Sequence, residues 1–162
     1  MIKVEINKNM KLSEHFTLGE LTKTQHVTKD GNIPSRVAIE NLKNLCEDWL
    51  EDLRYSYNTL YPRDCPQKEM PLVINSGYRS PEVNKKAGGS STSNHLTGCA
   101  VDIRVAGFEQ AIRYASILLD ISDGTKRDYD ELYIEHNKAG RYWIHFAVRP
   151  KDNRRKVGFL QT

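Results

Sequence analysis

Ser76-Gly77-Tyr78-Arg79-Ser80-Pro81, followed after a short gap by Ser93-Asn94-His95-Leu96-Thr97-Gly98-Cys99-Ala100-Val101-Asp102, decides how this chain is read. The apolar run Leu72-Val73-Ile74 in front of it predicts a short buried strand that delivers the chain to Gly77 and Arg79. Ser80 as cap, Pro81 at the first helical position and Gly88 past the end predict a helix of about two turns. The small polar residues from Gly88 to Asn94 then predict a loop. Val101, Ile103 and Val105 alternate with Asp102 and Arg104, so Asp102 is expected to leave a strand on the face opposite the apolar residues. His95 and Asp102 are thereby one imidazole and one carboxylate seven residues apart. A catalytic zinc ion takes three such ligands and keeps a fourth position for water. The third has to come from far along the chain, and His145 in the strand-like run Trp143-Ile144-His145-Phe146 supplies it.

Outward from this stretch the elements are plain. Leu12 to Leu21 reads as a short amphipathic segment with Thr17 and Glu20 spaced as a capping box and Phe16, Leu18 and Leu21 on its buried side. Ser35 caps a core helix with Ala38, Leu42, Leu45, Cys46, Trp49, Leu50 and Leu53 at helical spacing. Between Tyr55 and Met70 the pattern breaks, and Pro62 and Pro66 predict an irregular connection. A second core helix is expected over Phe108, Ala111, Ile112, Ala115, Leu118 and Leu119, ending before Asp123-Gly124. Glu131 to His136 and Arg141 to Val148 read as two antiparallel strands. Their register depends on the loop. With the three residues Lys138-Ala139-Gly140 and a left-handed Gly140, Glu135 falls opposite Trp143 and Tyr133 opposite His145, so Glu135 and His145 share a face. A two-residue loop puts them on opposite faces.

The composition narrows the class. At 162 residues with 38% hydrophobic and 28% charged residues, one globular unit over 1–162 is expected, without linker, repeat or low-complexity tract. A net charge of +3 with Lys and Arg spread along the chain argues against a nucleic-acid partner. The one basic cluster, Lys151, Arg154, Arg155 and Lys156, reads as a solvated face. Cys46, Cys65 and Cys99 lack CxxC spacing and read as free thiols, with Cys99 a small buried residue rather than a nucleophile. Met1 to Glu5 has no signal-peptide core and no run reaches membrane-spanning length, so synthesis in the cytoplasm and no membrane partner are expected. A monomer is expected.

As an ordered set, Ser76-Gly77-Tyr78-Arg79-Ser80-Pro81-Glu82-Val83-Asn84, Gly88-Gly89-Ser90, Ser93-x-His95-x-x-Gly98-x-Ala100-x-Asp102 and Trp143-Ile144-His145 resembles the zinc D-Ala-D-Ala carboxypeptidase family, especially its short bacterial and phage endolysin-like members. The resemblance implies an α+β fold of the hedgehog/DD-peptidase type, a small antiparallel sheet with flanking helices. It also implies Zn2+ held by His95, Asp102 and His145, and a peptidoglycan peptide as substrate met at the cell wall after release. Some relatives carry an acid three residues before the last histidine, where this chain has Tyr142. Similar short members place a glutamate on the preceding strand, which makes Glu135 the candidate general base. Arg79, whose planar fork suits a peptide carboxylate, Ser93 and Tyr142 are the candidate substrate-binding residues. The expectation is a zinc metallopeptidase cutting stem or cross-link peptides. The alternatives are a non-catalytic, zinc-stabilised wall-binding module and a hydrolase of an unrelated small peptide.

Overall fold

The computed structural model describes residues 5–64 and 68–162, so the expectations for Met1 to Val4, Cys65 and Pro66 fall outside the described residues. Five strands, β1 (Ile74–Ser76), β2 (Ala100–Arg104), β3 (Glu131–His136), β4 (Tyr142–Ala147) and β5 (Lys156–Gln161), form one sheet in the order β1-β2-β4-β3-β5. Every pairing is antiparallel except β3 with β5. With helices on its flank, this bears out the α+β expectation.

Each strand carries two kinds of residue because successive side chains leave on opposite faces. Val101, Ile103, Leu132, Ile144 and Phe146 lie on one face and are buried in the core. Asp102, Arg104, Tyr133, Glu135, Trp143 and His145 lie on the other. The apolar face is covered by helices. After α1 (Leu18–Leu21), α2 (Arg36–Leu45) starts at Ser35, whose hydroxyl accepts from Ala38 N–H. A π-helical turn, Cys46–Leu50, joins α2 to α3 (Glu51–Leu60). Trp49 from that turn packs on Phe146 with ring centroids 5.1 Å apart. The capping box on α1 is present in both directions between Thr17 and Glu20.

Two helix ends differ from the sequence expectation. The helix does not break up at Tyr55: Tyr57 is only 2% exposed and extends the apolar stripe, so the helix runs to Leu60 and stops before Pro62. Helix α5 (Phe108–Thr125) passes through Asp123-Gly124 and ends at Lys126, whose φ of 57° is left-handed. Its buried stripe is Ala111, Tyr114, Ile117 and Leu118, whereas Phe108 and Ile112, expected in the core, are 43% and 49% exposed. Helix α4 (Pro81–Lys86) has the Ser80 cap and Pro81 start that its sequence predicts. Among the described residues no helix is long and apolar enough to cross a membrane.

Strand β5 was not anticipated. It adds parallel to β3 at the sheet edge, and the residues leading into it use part of the basic cluster that reads as solvated. Arg154 pairs with buried Asp130 at 2.7 Å, and Arg155 bonds Asp128 at 2.9 Å and lies over the Tyr129 ring. Arg154 is therefore structural, because a fully buried carboxylate needs a cation.

A 3-10 turn, Asn94–Thr97, carries His95 to the polar face of the sheet. It closes at Gly98, whose φ is 72°. A Cβ there would press on the Ala38 carbonyl of α2, so both the conformation and the space require glycine. Gly98→Ala is expected to cost about 3 kcal/mol in urea unfolding. A loss under about 1 kcal/mol would show that the turn is not held against α2.

Candidate metal centre

Pairing of β2 with β4 sets Asp102 directly opposite His145, and pairing of β1 with β2 sets Ser76 opposite Asp102. The register slips between Ile74 and Ser76, a bulge that re-aims side chains at a strand edge. Asn75 and Ser76 each bond an arginine of the polar face: Arg104 Nε donates to Asn75 Oδ1 at 3.3 Å and Arg79 Nε to Ser76 Oγ at 3.0 Å. The turn bearing His95 is tied down from several sides. Ser93 Oγ accepts from His95 N–H, Arg79 N–H donates to the His95 carbonyl at 3.0 Å, and Asn41 Nδ2 donates to the Thr97 carbonyl at 2.9 Å.

The result is that His95, Asp102 and His145 converge, each less than a tenth exposed, with one donor atom from each within 4.8 Å of the others. Asp102 Oδ1 lies 3.4 Å from His95 Nε2 and 3.1 Å from His145 Nδ1. Among the described residues no fourth His, Cys, Asp or Glu joins the group. This trio can hold a metal ion.

Each member of the trio is oriented by a partner on its far side. His95 Nδ1 donates to the Gly77 carbonyl at 2.7 Å, which turns Nε2 toward the trio. Gly77 is required there because a Cβ would press on the Leu21 carbonyl, which already accepts from Tyr78 N–H at 2.8 Å. Arg79 Nη2 donates to Asp102 Oδ2 at 2.9 Å, so Oδ1 is the oxygen that faces the imidazoles. His145 Nε2 meets Glu131 Oε1 at 3.2 Å, and the Tyr133 ring stacks on the imidazole at a centroid distance of 5.6 Å.

The electrostatics follow from this packing. Burial pushes the Asp102 carboxyl up, but the charge of His95 and the hydrogen bonds of His145 and His95 win and hold it well below the usual carboxylate range. Burial opposes charge on His145, yet the hydrogen bonds to Asp102 and Glu131 dominate and push it up to about 10. Glu131 is held low, chiefly by the His145 hydrogen bond and then by Asn94. Glu135 is shifted the other way: burial raises its carboxyl, the charge of His145 opposes this and that of Asp102 adds to it.

The hairpin loop settles the register question. Gly140 is left-handed at φ 77°, its N–H donates to the Asn137 carbonyl, and Glu135 pairs with Trp143 and Tyr133 with His145. Glu135 therefore lies on the face of the metal trio, with Oε2 accepting from Trp143 Nε1 at 2.6 Å.

The expected substrate-binding residues fall differently. Arg79 uses two of its three nitrogens on Asp102 and Ser76, so it holds Asp102 in place. Ser93 caps the turn of His95. Tyr142 is turned by strand alternation to the face opposite the trio, where its ring packs on Phe108 at 5.3 Å and His136 at 5.6 Å, and it also lines the cavity at the hairpin tip. Glu131 was overlooked. Asn94 Nδ2 donates to Glu131 Oε1 at 2.7 Å and to Asp130 Oδ2 at 2.8 Å, linking the His95 turn to the strand that braces His145. Once the hairpin register is known, counting back in twos from Glu135 through Tyr133 finds Glu131.

Asp130 is the hinge of that linkage and makes it acid-sensitive. Burial raises its carboxyl, but the hydrogen bonds from Arg154 and Asn94 bring it down to about 2. The unfolded chain binds that proton near pH 3.9, so the folded state gains about 2 kcal/mol from this group above pH 4 and loses it as pH falls through about 2. Asp130→Asn is expected to lose that contribution at pH 7 and to flatten the acid limb of stability against pH, read by urea unfolding between pH 2 and 7. An unchanged acid limb would show that the linkage contributes nothing.

A family model described as Peptidase M15 matches residues 14–138. No curated protein matches the chain. The matched region holds His95, Asp102 and Glu135 and stops short of His145, which the pairing of β2 with β4 brings to the same point. With more than half of its length matched, and a buried His-Asp-His group of the kind a metallopeptidase needs, the chain belongs to the Peptidase M15 family.

Proposed function

We propose that the protein is a zinc-dependent peptidase that hydrolyses stem or cross-link peptides of peptidoglycan. The observation that carries this reading is the donor spacing at the trio. Bonds of 2.0 to 2.1 Å in a tetrahedral shell put donors about 3.3 Å apart, and the Asp102 oxygen lies 3.4 Å and 3.1 Å from the two imidazole nitrogens. His95, Asp102 and His145 would hold the ion. A zinc ion held there would supply Lewis-acid chemistry and bring the pKa of bound water down to about 7.

The remaining work belongs to the chain. Glu135 takes the proton of the attacking water and passes it to the leaving amine as the C–N bond breaks. Its Oε2 is engaged by the Trp143 indole, so Oε1 is the oxygen that handles the proton. Its raised carboxyl moves toward the working pH, where a base is both ionised and basic enough to act. Arg79 and Glu131 hold Asp102 and His145 in place from behind.

The test is mass spectrometry of purified peptidoglycan fragments incubated with the zinc-loaded protein. Cleavage appears as paired products whose masses sum to the parent plus one water, and the pair identifies the scissile bond. Fragments that bind to the zinc-loaded protein and stay intact would instead support the non-catalytic wall-binding module.

A further inference from the structure

We propose that the cavity at the Arg104 end of the sheet's polar face, walled by Lys23, Arg104 and Arg141, is a subsite for a carboxylate of the peptide substrate. This rests on the peptidase reading above and adds to it what the substrate must carry. The cavity has a volume of about 880 Å3 and lies between the loop after α1, the end of β2 and the tip of the β3–β4 hairpin. No residue of the trio lines it, and its link to the trio is Arg104 on β2; a larger cavity of about 1120 Å3 lies near the start of the described chain.

Three observations converge. Arg104 sits two residues past Asp102 on the same strand and faces the same way, opposite Trp143. That places its backbone about 7 Å from the metal ligand. Second, no Asp or Glu lines the cavity, and none of the ion pairs among the described residues includes Lys23, Arg104 or Arg141. Arg79 and Arg154, by contrast, are both paired with buried acids. Three like charges around one hollow repel each other until an anion enters. Third, Asn75 Oδ1 holds Arg104 by its Nε, which leaves the two terminal nitrogens of the guanidinium for a carboxylate. Helix α5 also begins at this wall, at Gly107 without a side-chain cap, and its positive end adds to the field.

The spacing sets the substrate. An extended peptide advances about 3.3 to 3.6 Å per residue, so the carboxylate belongs about two residues from the scissile bond. In a stem peptide two groups meet this: the free α-carboxylate of a γ-linked D-Glu and the C-terminal carboxylate.

Calorimetric binding distinguishes them. The zinc-loaded full chain carrying Glu135→Gln is titrated with an L-Ala-γ-D-Glu-L-Lys-D-Ala tetrapeptide, and with the same peptide amidated at one carboxylate or the other. Amidation at one of the two positions is expected to weaken binding about tenfold, the scale of exposed charge contacts acting together, and that position is the carboxylate that seats. Arg104→Gln with Arg141→Gln is expected to bring the preference close to unity, while Lys151→Gln with Lys156→Gln, which removes the same charge elsewhere, keeps it. The proposal is overturned by equal affinity for all three peptides, by no binding at millimolar peptide, or by a preference that survives in the first double variant or disappears equally in the second. Discrimination without cleavage by the wild type would sink the peptidase reading and leave the subsite standing.

Discussion

Glu135→Gln is expected to lower the peptide-cleaving rate about 10³-fold while the chain still binds one zinc ion, because a positioned base contributes 10² to 10⁴. The substitution keeps the shape of the side chain and leaves a carbonyl oxygen to accept from the Trp143 indole, so the hairpin has no reason to move. What it removes is the ability to take a proton. Glu135 is not a member of the trio, and metal content is expected to stay at the wild-type level. Trp143→Phe separates the two roles of the side chain: it deletes the indole N–H that orients Oε2 and leaves the carboxylate, so its rate is expected to fall far less than that of Glu135→Gln. Cleavage rates on a defined stem peptide, measured beside zinc content by atomic absorption, check both. A Glu135→Gln variant that keeps a tenth or more of the wild-type rate would remove Glu135 from the base role.

Local patterns in the sequence announce the elements that build this site, whereas the contacts that brace it come from pairing between distant segments. Ser80-Pro81, the Thr17–Glu20 box and the alternation around Asp102 are short-range signals, and the structure has each as expected. The hairpin was legible only as a choice between two loops, and the left-handed Gly140 decides it. Strand β5 gives little local sign, because a parallel edge strand that is mostly exposed needs no clean alternation. The roles of Arg154 and Asp130 depend on that strand's approach, which is why the basic cluster reads as solvent-facing in sequence. Tyr142 shows the same limit from the other side: its nearness to His145 in sequence suggests a shared site, and strand parity sends it to the opposite face.

Asp102→Ala is expected to lose both the metal and a large part of the stability of the metal-free protein. The carboxylate is 8% exposed and answers three groups at once, Arg79 through Oδ2 and the two imidazoles through Oδ1. Removing it leaves Arg79 and a charged His145 with too little negative charge around them, a kind of loss that costs about 3 to 5 kcal/mol. Asp102→Asn keeps an acceptor for Arg79 and is expected to lose roughly half as much. Both variants lose the oxygen ligand, so zinc affinity should drop by more than about 100-fold, the upper range for removing a mere outer partner. His145 adds a pH signature. Its folded value, about 10, lies above the unfolded value of 6.5, so its stabilising share is complete below pH 6.5 and is lost as pH rises through 10. Wild-type protein without metal is therefore expected to weaken between pH 7 and 10, and Asp102→Ala to weaken much less, since the carboxylate that favours the charged imidazole is gone. Urea unfolding of the chelator-treated proteins at pH 6, 8 and 10, with zinc affinity taken from competition with a chromophoric chelator, reads all three effects. If Asp102→Ala unfolds within about 1 kcal/mol of wild type and holds zinc as tightly, the carboxylate neither anchors the imidazoles nor binds the ion, and the metal site must be sought elsewhere in the chain.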